Sequence, residues 1–285
     1  MTDNPINLTT EKRVIETVVD STYKCKSGAL NKARALQFCL EEDKNFLNDE
    51  DWIVHLDEET LLTEASVKGI LNFITAGKHS FGQGVITYAN NPPQFNSFVK
   101  YLQNRICTVA DSIRVADDFG KLRFQLTYLN KPIFGWKGSY VVCNVSIFEK
   151  EQIEKYYQVL VVVHQLYFWL KIHISISFFQ AGAERKISFD WGLAGSKAED
   201  CFFGMVALDR GYTFDFIEGE MHEKSPFTFT DFIKQRKRWI QGFYLVCTSD
   251  QIPIRSKFLL TMSLGKLWFL IVNRKKLSYK ACNKL

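Results

Sequence analysis

The stretch DWIVHLDEET, residues 51–60, decides how the rest of the chain is read. Its first half, Trp52-Ile53-Val54-His55-Leu56, is rich in β-branched and aromatic side chains and predicts a buried strand. Leu61, Leu62, Ala65, Val67, Ile70 and Leu71 then recur at helical spacing and predict an amphipathic helix over 61–75. Asp57, Glu58 and Glu59 therefore fall at the carboxyl end of a strand, the edge where open α/β sheets bind ligands. Alternate acids in an extended turn point two oxygens at one hard cation. The structural alternative is that they complement the dipole at a helix N-terminus. A calcium loop does not fit, because it needs a central Gly and alternating ligands and meets Trp-Ile-Val instead.

Outward from this stretch, strands and helices alternate. RVIETVV (13–19) predicts a strand, and GALNKARALQFCLEE (28–42) predicts a helix with Leu30, Ala33, Leu36, Phe38 and Leu40 facing inward. QGVITYA (83–89) predicts another strand after the Gly-rich turn GKHSFGQG. This order predicts an α/β fold with a mostly parallel, Rossmann-like sheet. Such a sheet is expected to begin with a full βαβ unit; here the chain opens on a late element and reads as N-terminally truncated. Beyond Pro92-Pro93, residues 98–126 have helical periodicity, and KPIFGWKGSYVV (131–142) reads as a turn and strand. RKISFDWG (185–192) reads as strand or loop, AEDCFFGMVALDRGY (198–212) as a helix with Phe202, Phe203, Val206 and Ala207 on one face, and TDFIKQRKRWIQGFYLV (230–246) as a long amphipathic helix.

With 46% hydrophobic and 14% aromatic residues, the 285-residue chain can bury a sizeable core and is not disordered. Its net charge of +5 gives no case for nucleic acid. The basic run Arg274-Lys275-Lys276 after an apolar stretch better suits an anionic membrane surface. Seven scattered cysteines show no zinc spacing and read as reduced thiols, and the polar opening MTDNPINLTTEKR does not read as a signal peptide. Residues 157–179 are long enough to span a bilayer but carry His164, Gln165, Lys171 and His173. Residues 258–272, interrupted by Lys266, read as a membrane-proximal interfacial helix or the stump of a spanning one.

Taken singly, Glu199-Asp200 could be helix-start chemistry and the basic run Gln235–Trp239 a solvated face. Their order says more: an acidic triplet at a strand end, a Gly138-Ser139 turn, Glu199-Asp200 before an aromatic helix, then Gln-x-x-Arg-Trp at 235–239. This series resembles family 2 glycosyltransferases of the GT-A type. The blocks KSGALNKARALQFCLEE, DWIVHLDEETLLTE, GKHSFGQGVITYAN, RVADDFGKLRFQ, KPIFGWKGSYVV, AEDCFFGMVAL, GYTFDFIEGEMHEKSPFT and QRKRWIQG together resemble the Egghead-type β-1,4-mannosyltransferases of invertebrates, over about residues 3–262.

The resemblance implies transfer of mannose from GDP-mannose to the glucose of glucosylceramide, with inversion, in glycosphingolipid assembly. It implies a divalent metal, Mn²⁺ or Mg²⁺, on Asp57 and Glu59 and a general base at Asp200 with Glu199 in support. Donor and pyrophosphate contacts are implied at Asp3, Lys26, Asn31, Asp57, Gln235 and Arg238, and acceptor contacts at Gly138, Ser139 and Trp239. A membrane location at the endoplasmic reticulum or Golgi is implied, with the catalytic domain facing the cytoplasm. The alternatives are another family 2 member, such as a UDP-sugar polysaccharide synthase, or an inactive, truncated, membrane-associated binding protein. The expected division is a glycosyltransferase domain at 1–250 and a membrane-proximal tail at 251–285. Within the domain, 144–182 reads as an aberrant insertion, because the family joins GSYVV to GAERKISFD by only a few residues.

Overall fold

A computed structural model describes residues 16–45, 47–48, 51–57, 59–89, 97–138, 141–143, 181–224 and 228–271. Helix α1 (Asn31–Leu40) forms where Ala33, Leu36, Phe38 and Leu40 all turn inward. It has no side-chain cap of its own. The segment before it is held from across the chain: Ser27 and Ala29 donate their backbone N–H groups to the Asp190 carboxylate at 2.7 and 3.3 Å, and Leu30 N–H donates to Ser196 Oγ at 2.8 Å. Helix α2 (Glu64–Ala76) opens with a reciprocal cap in which Ser66 N–H donates to Thr63 Oγ1 and Thr63 N–H donates to Ser66 Oγ, each at 3.0 Å. It stops at Gly77, in the left-handed region at φ 56°.

The strands are β1 (Thr60–Leu61), β2 (Phe81–Ala89), β3 (Val141–Cys143) and β4 (Phe214–Lys224), in the spatial order β1-β4-β2-β3. The two long strands β2 and β4 run parallel, while β1 pairs antiparallel with β4 and β3 antiparallel with β2. Helix α3 (Phe98–Asp117), capped by Ser97, continues through a π turn (Asp118–Leu122) into α4 (Arg123–Leu129). Then follow α5 (Ala181–Ile187), α6 (Gly192–Gly195), α7 (Glu199–Asp209), α8 (Phe229–Thr248) and α9 (Ile254–Ile271).

The expected α/β fold is present, and its sheet is mixed among the described residues, with β1 and β3 flanking the long parallel pair. Other expectations change. Residues 52–56 are buried and extended from Val54 to Leu56, but Trp52 and His55 make only single bridges. Of 13–19, the described part forms a strand bridge only at Val18, too little pairing to build a ladder. Leu30 precedes α1 and is exposed, and Arg185–Ile187 close α5 instead of forming a strand. The 157–179 segment and most of 144–182 lie outside the described residues. The helix expected near 258–272 is α9, which exposes Ile254, Phe258, Leu259 and Met262. No helix among the described residues is long and apolar enough to cross a membrane.

The core sits between the sheet and α7, whose residues Cys201–Ala207 are all buried. Phe81 stacks on Phe214 at 5.0 Å and meets Phe203 edge-on at 5.6 Å, and Trp136 meets Phe214 edge-on at 4.8 Å. Each such ring contributes roughly 1.5–3 kcal/mol by leaving water. Packing of this kind fixes the first turn of α7 against the sheet, which matters because that turn carries Glu199 and Asp200.

Candidate active site

Glu58 lies outside the described residues, and Asp57 and Glu59 do not cap α2, because Thr63 does. They stand before β1, and Asp57 turns toward the start of α1. Lys32, in the first turn of α1, places its Nζ 2.5 Å from Asp57 Oδ1 and 3.9 Å from Glu199 Oε1. A cation in the first turn opposes the helix dipole, and here carboxylates from two other segments offset it. Burial alone favours the neutral amine, yet Asp57, Glu199 and Asp200 raise the Lys32 pKa and keep it charged. One ammonium thus gathers the strand-end acid and the acids at the start of α7.

The three carboxyls respond in opposite directions. Against the upward push of burial, the Lys32 ammonium, with Arg114 and Arg238 beyond it, holds Asp57 below the usual carboxylate range. Burial and then the Asp200 charge push Glu199 up to about 7. Burial also raises Asp200, partly offset by the Cys201 N–H, which donates to Asp200 Oδ1 at 2.7 Å, and by the Gly138 backbone. Gly138 lies flat against this acid: a Cβ there would stand 3.3 Å from Asp200 Oδ2. The structure therefore brings Gly138 and Asp200 together.

The Gln-x-x-Arg-Trp segment lies on α8. Gly242 sets how closely that helix approaches α7, since a Cβ there would sit 2.5 Å from Ala198 Cβ. Trp239 is flanked by two guanidinium groups, Arg114 at 4.4 Å and Arg236 at 4.3 Å from its ring centroid. Arg236 is ion-paired with buried Asp111 at 2.6 Å. Gln235 Oε1 is buried with no partner among the described residues. Arg238 is exposed and bears on Asp57 through space. Lys26 and Asn31 are exposed beside α1, and among the described residues neither pairs with these carboxylates. Glu59 is half-buried in the turn before β1. Asp3 and Ser139 lie outside the described residues.

Carboxylates are the right donors for a hard divalent cation, and Asp57 would be one such donor, although the Lys32 ammonium engages it here. No group of three or more His, Cys, Asp or Glu side chains gathers as a ready cage among the described residues. An ion here would meet Lys32 already in place.

Sequence reading missed Lys32, Arg114 and Lys137. Lys137 pairs with buried Asp118 at the π turn of the long helix, a feature frequent at functional sites. The available signal for Lys32 was its position one residue after Asn31, at the end of a helix where a cation is disfavoured.

Residues 52–279 match the family model described as "Glycosyl transferase family group 2". The chain is 51% identical over 263 residues to a protein of Drosophila melanogaster named "Beta-1,4-mannosyltransferase egh", covering 92% of this chain and 48% of the relative. It is 52% identical over 264 residues to each of two proteins named "Beta-1,4-mannosyltransferase bre-3", from Caenorhabditis briggsae and Caenorhabditis elegans, covering 93% of this chain and 48% of each. The chain spans about half the length of the curated relatives it matches.

Proposed function

Because the chain belongs to glycosyl transferase family group 2, we propose that its site transfers mannose from GDP-mannose to the glucose of glucosylceramide, forming a β-1,4 linkage with inversion. The observation that carries this reading is the meeting of Asp57, Glu199 and Asp200 around Lys32. The names of its relatives supply the sugar and linkage.

An α-linked donor and a β-linked product require in-line attack by the acceptor hydroxyl. Asp200 takes that proton, and its raised pKa brings it nearer the operating pH, where a base combines sufficient strength with the correct protonation state. Glu199 shares the site and its protons, so the two titrate as a pair. Gly138, pressed on Asp200, leaves room for the acceptor beside the base, and Trp239 offers a face for the acceptor sugar. Asp57, kept charged, belongs to the donor side with Gln235 and Arg238. A divalent metal, Mn²⁺ or Mg²⁺, held by Asp57 and Glu59, would neutralise the departing diphosphate. A lipid acceptor requires the site to work at a membrane surface, in this reading the cytoplasmic face of the endoplasmic reticulum or Golgi. The apolar side chains that α9 exposes support such contact.

The test is to incubate the purified chain with GDP-mannose, glucosylceramide in detergent and Mn²⁺, and to seek mannosyl-glucosylceramide by mass spectrometry. Product supports the reading. Transfer from a UDP-sugar instead identifies a synthase-like relative, and absence of GDP binding by isothermal titration leaves an inactive binding protein.

A further inference from the structure

Arg114 carries a guanidinium packed over two aromatic rings. Its centre lies 4.4 Å from the Trp239 ring centroid on α8 and 5.0 Å from that of Tyr88 on β2. Among the described residues no side chain or carbonyl accepts a hydrogen bond from it. A guanidinium has five N–H donors, and those of Arg114 are half-exposed, open to a ligand or to water. Two donors nearby are buried without a partner among the described residues: Tyr88 Oη, whose ring Arg114 overlies, and Arg236 Nε, at the same indole.

Charge points the same way. Arg236 stands against the same indole ring but has Asp111 to neutralise it. Arg114 has no such partner; the carboxylates of Glu223, Asp57 and Asp200 act on it only through space. Two guanidinium groups at one ring with a single contacting acid leave a net positive spot beside the acid-lined site. A planar fork lying over two aromatic rings, with no protein acceptor among the described residues, suits a planar or tetrahedral oxyanion in paired hydrogen bonds.

We propose that Arg114 binds a phosphate group of the nucleoside diphosphate donor, with Tyr88 and Trp239 packed against it and the unpartnered donors Tyr88 Oη and Arg236 Nε completing the anion's surroundings. The assignment rests on the sugar-nucleotide reading given above and adds a residue to it.

Isothermal titration of the full 285-residue chain tests it, using GDP, inorganic pyrophosphate and guanosine in turn, with Mg²⁺ present. Arg114→Gln is expected to weaken GDP and pyrophosphate about 10- to 100-fold, the range for a hydrogen bond to a charged group, and to leave guanosine unchanged. Arg114→Lys, which keeps the charge but loses the fork and the stacked plane, is expected to recover part of the loss and guards against misfolding of the first variant. A wild type that binds GDP and pyrophosphate, with Arg114→Gln binding both equally well, overturns the Arg114 assignment alone. Equal losses for guanosine and GDP also overturn it, since the variant then damages the whole site. A wild type that binds neither GDP nor pyrophosphate overturns the donor reading and this assignment together.

Discussion

The two acid-bearing regions of the molecule make a useful pair. Asp57 stands at the end of an extended segment tied down by single bridges, whereas Glu199 and Asp200 open a helix buried through most of its length. Both regions face Lys32, yet Asp57 is driven down and the α7 acids are driven up. The difference is contact: Asp57 holds the ammonium at 2.5 Å, Glu199 meets it only at 3.9 Å, and burial of the α7 acids outweighs that attraction. When environments push neighbouring carboxyls apart, they divide the labour between them. The strand-end acid is a permanent anion suited to organising positive charge, and the helix acids exchange protons.

Breaking the proton-exchanging half should have the largest effect. Asp200→Asn is expected to lower mannose transfer about 10²–10⁴-fold while GDP affinity by isothermal titration stays near wild type; normal turnover would end the base assignment. Separating α8 from α7 should come next. Gly242→Ala drives a methyl into Ala198 Cβ at 2.5 Å, an overpacking that costs about 1–3 kcal/mol, and a denaturant melt should show it.

Removing the shared cation should matter less for stability. Both Lys32 and Asp57 side chains keep about a third of their surface exposed, so Lys32→Met is expected to cost roughly 1 kcal/mol, together with a rise in the Asp57 pKa. The smallest effect is a shift along the pH axis. With Glu199 raised from 4.5 to about 7, an unfolded chain has lost this proton by pH 6 while the folded one retains it. The group's contribution is therefore complete below pH 4.5 and is lost as pH rises through about 7. Wild type should lose stability relative to Glu199→Gln across that window. Turnover should fall on the acid side as Asp200, whose pKa burial raises, takes up its proton. A stability difference independent of pH would show that Glu199 titrates normally.

What the sequence revealed followed pattern strength. Helix α2, strand β2, the long helix from 98 and the order of acidic and basic motifs were legible because period or order repeats along the chain. Strand β4 was not read as a strand, although it pairs with both β1 and β2. A bulge after Ile217, with Gly219 at φ 91°, shifts its register against β2 between Gly84 and Val85. Its buried apolar residues Phe214, Ile217 and Met221 consequently stand three and four apart, a spacing that suggests a helix. The acids of the candidate site were legible through the order in which the motifs follow one another, since acids at element ends are common when taken singly. The site's cations were hidden: Lys32 and Arg114 sit on helices where charged residues ordinarily face solvent, and only tertiary packing turns them inward.

The most direct test is a pH titration of the protein labelled with ¹³C at its Asp and Glu side-chain carboxyls, followed by NMR in the wild type, Asp57→Asn and Glu199→Gln. A carboxyl titrating near 7, absent in Glu199→Gln and moved to lower pH in Asp57→Asn, is expected if the three acids share one site with divided roles. A Glu199 signal in the ordinary range near 4.5, indifferent to loss of Asp57, would contradict it.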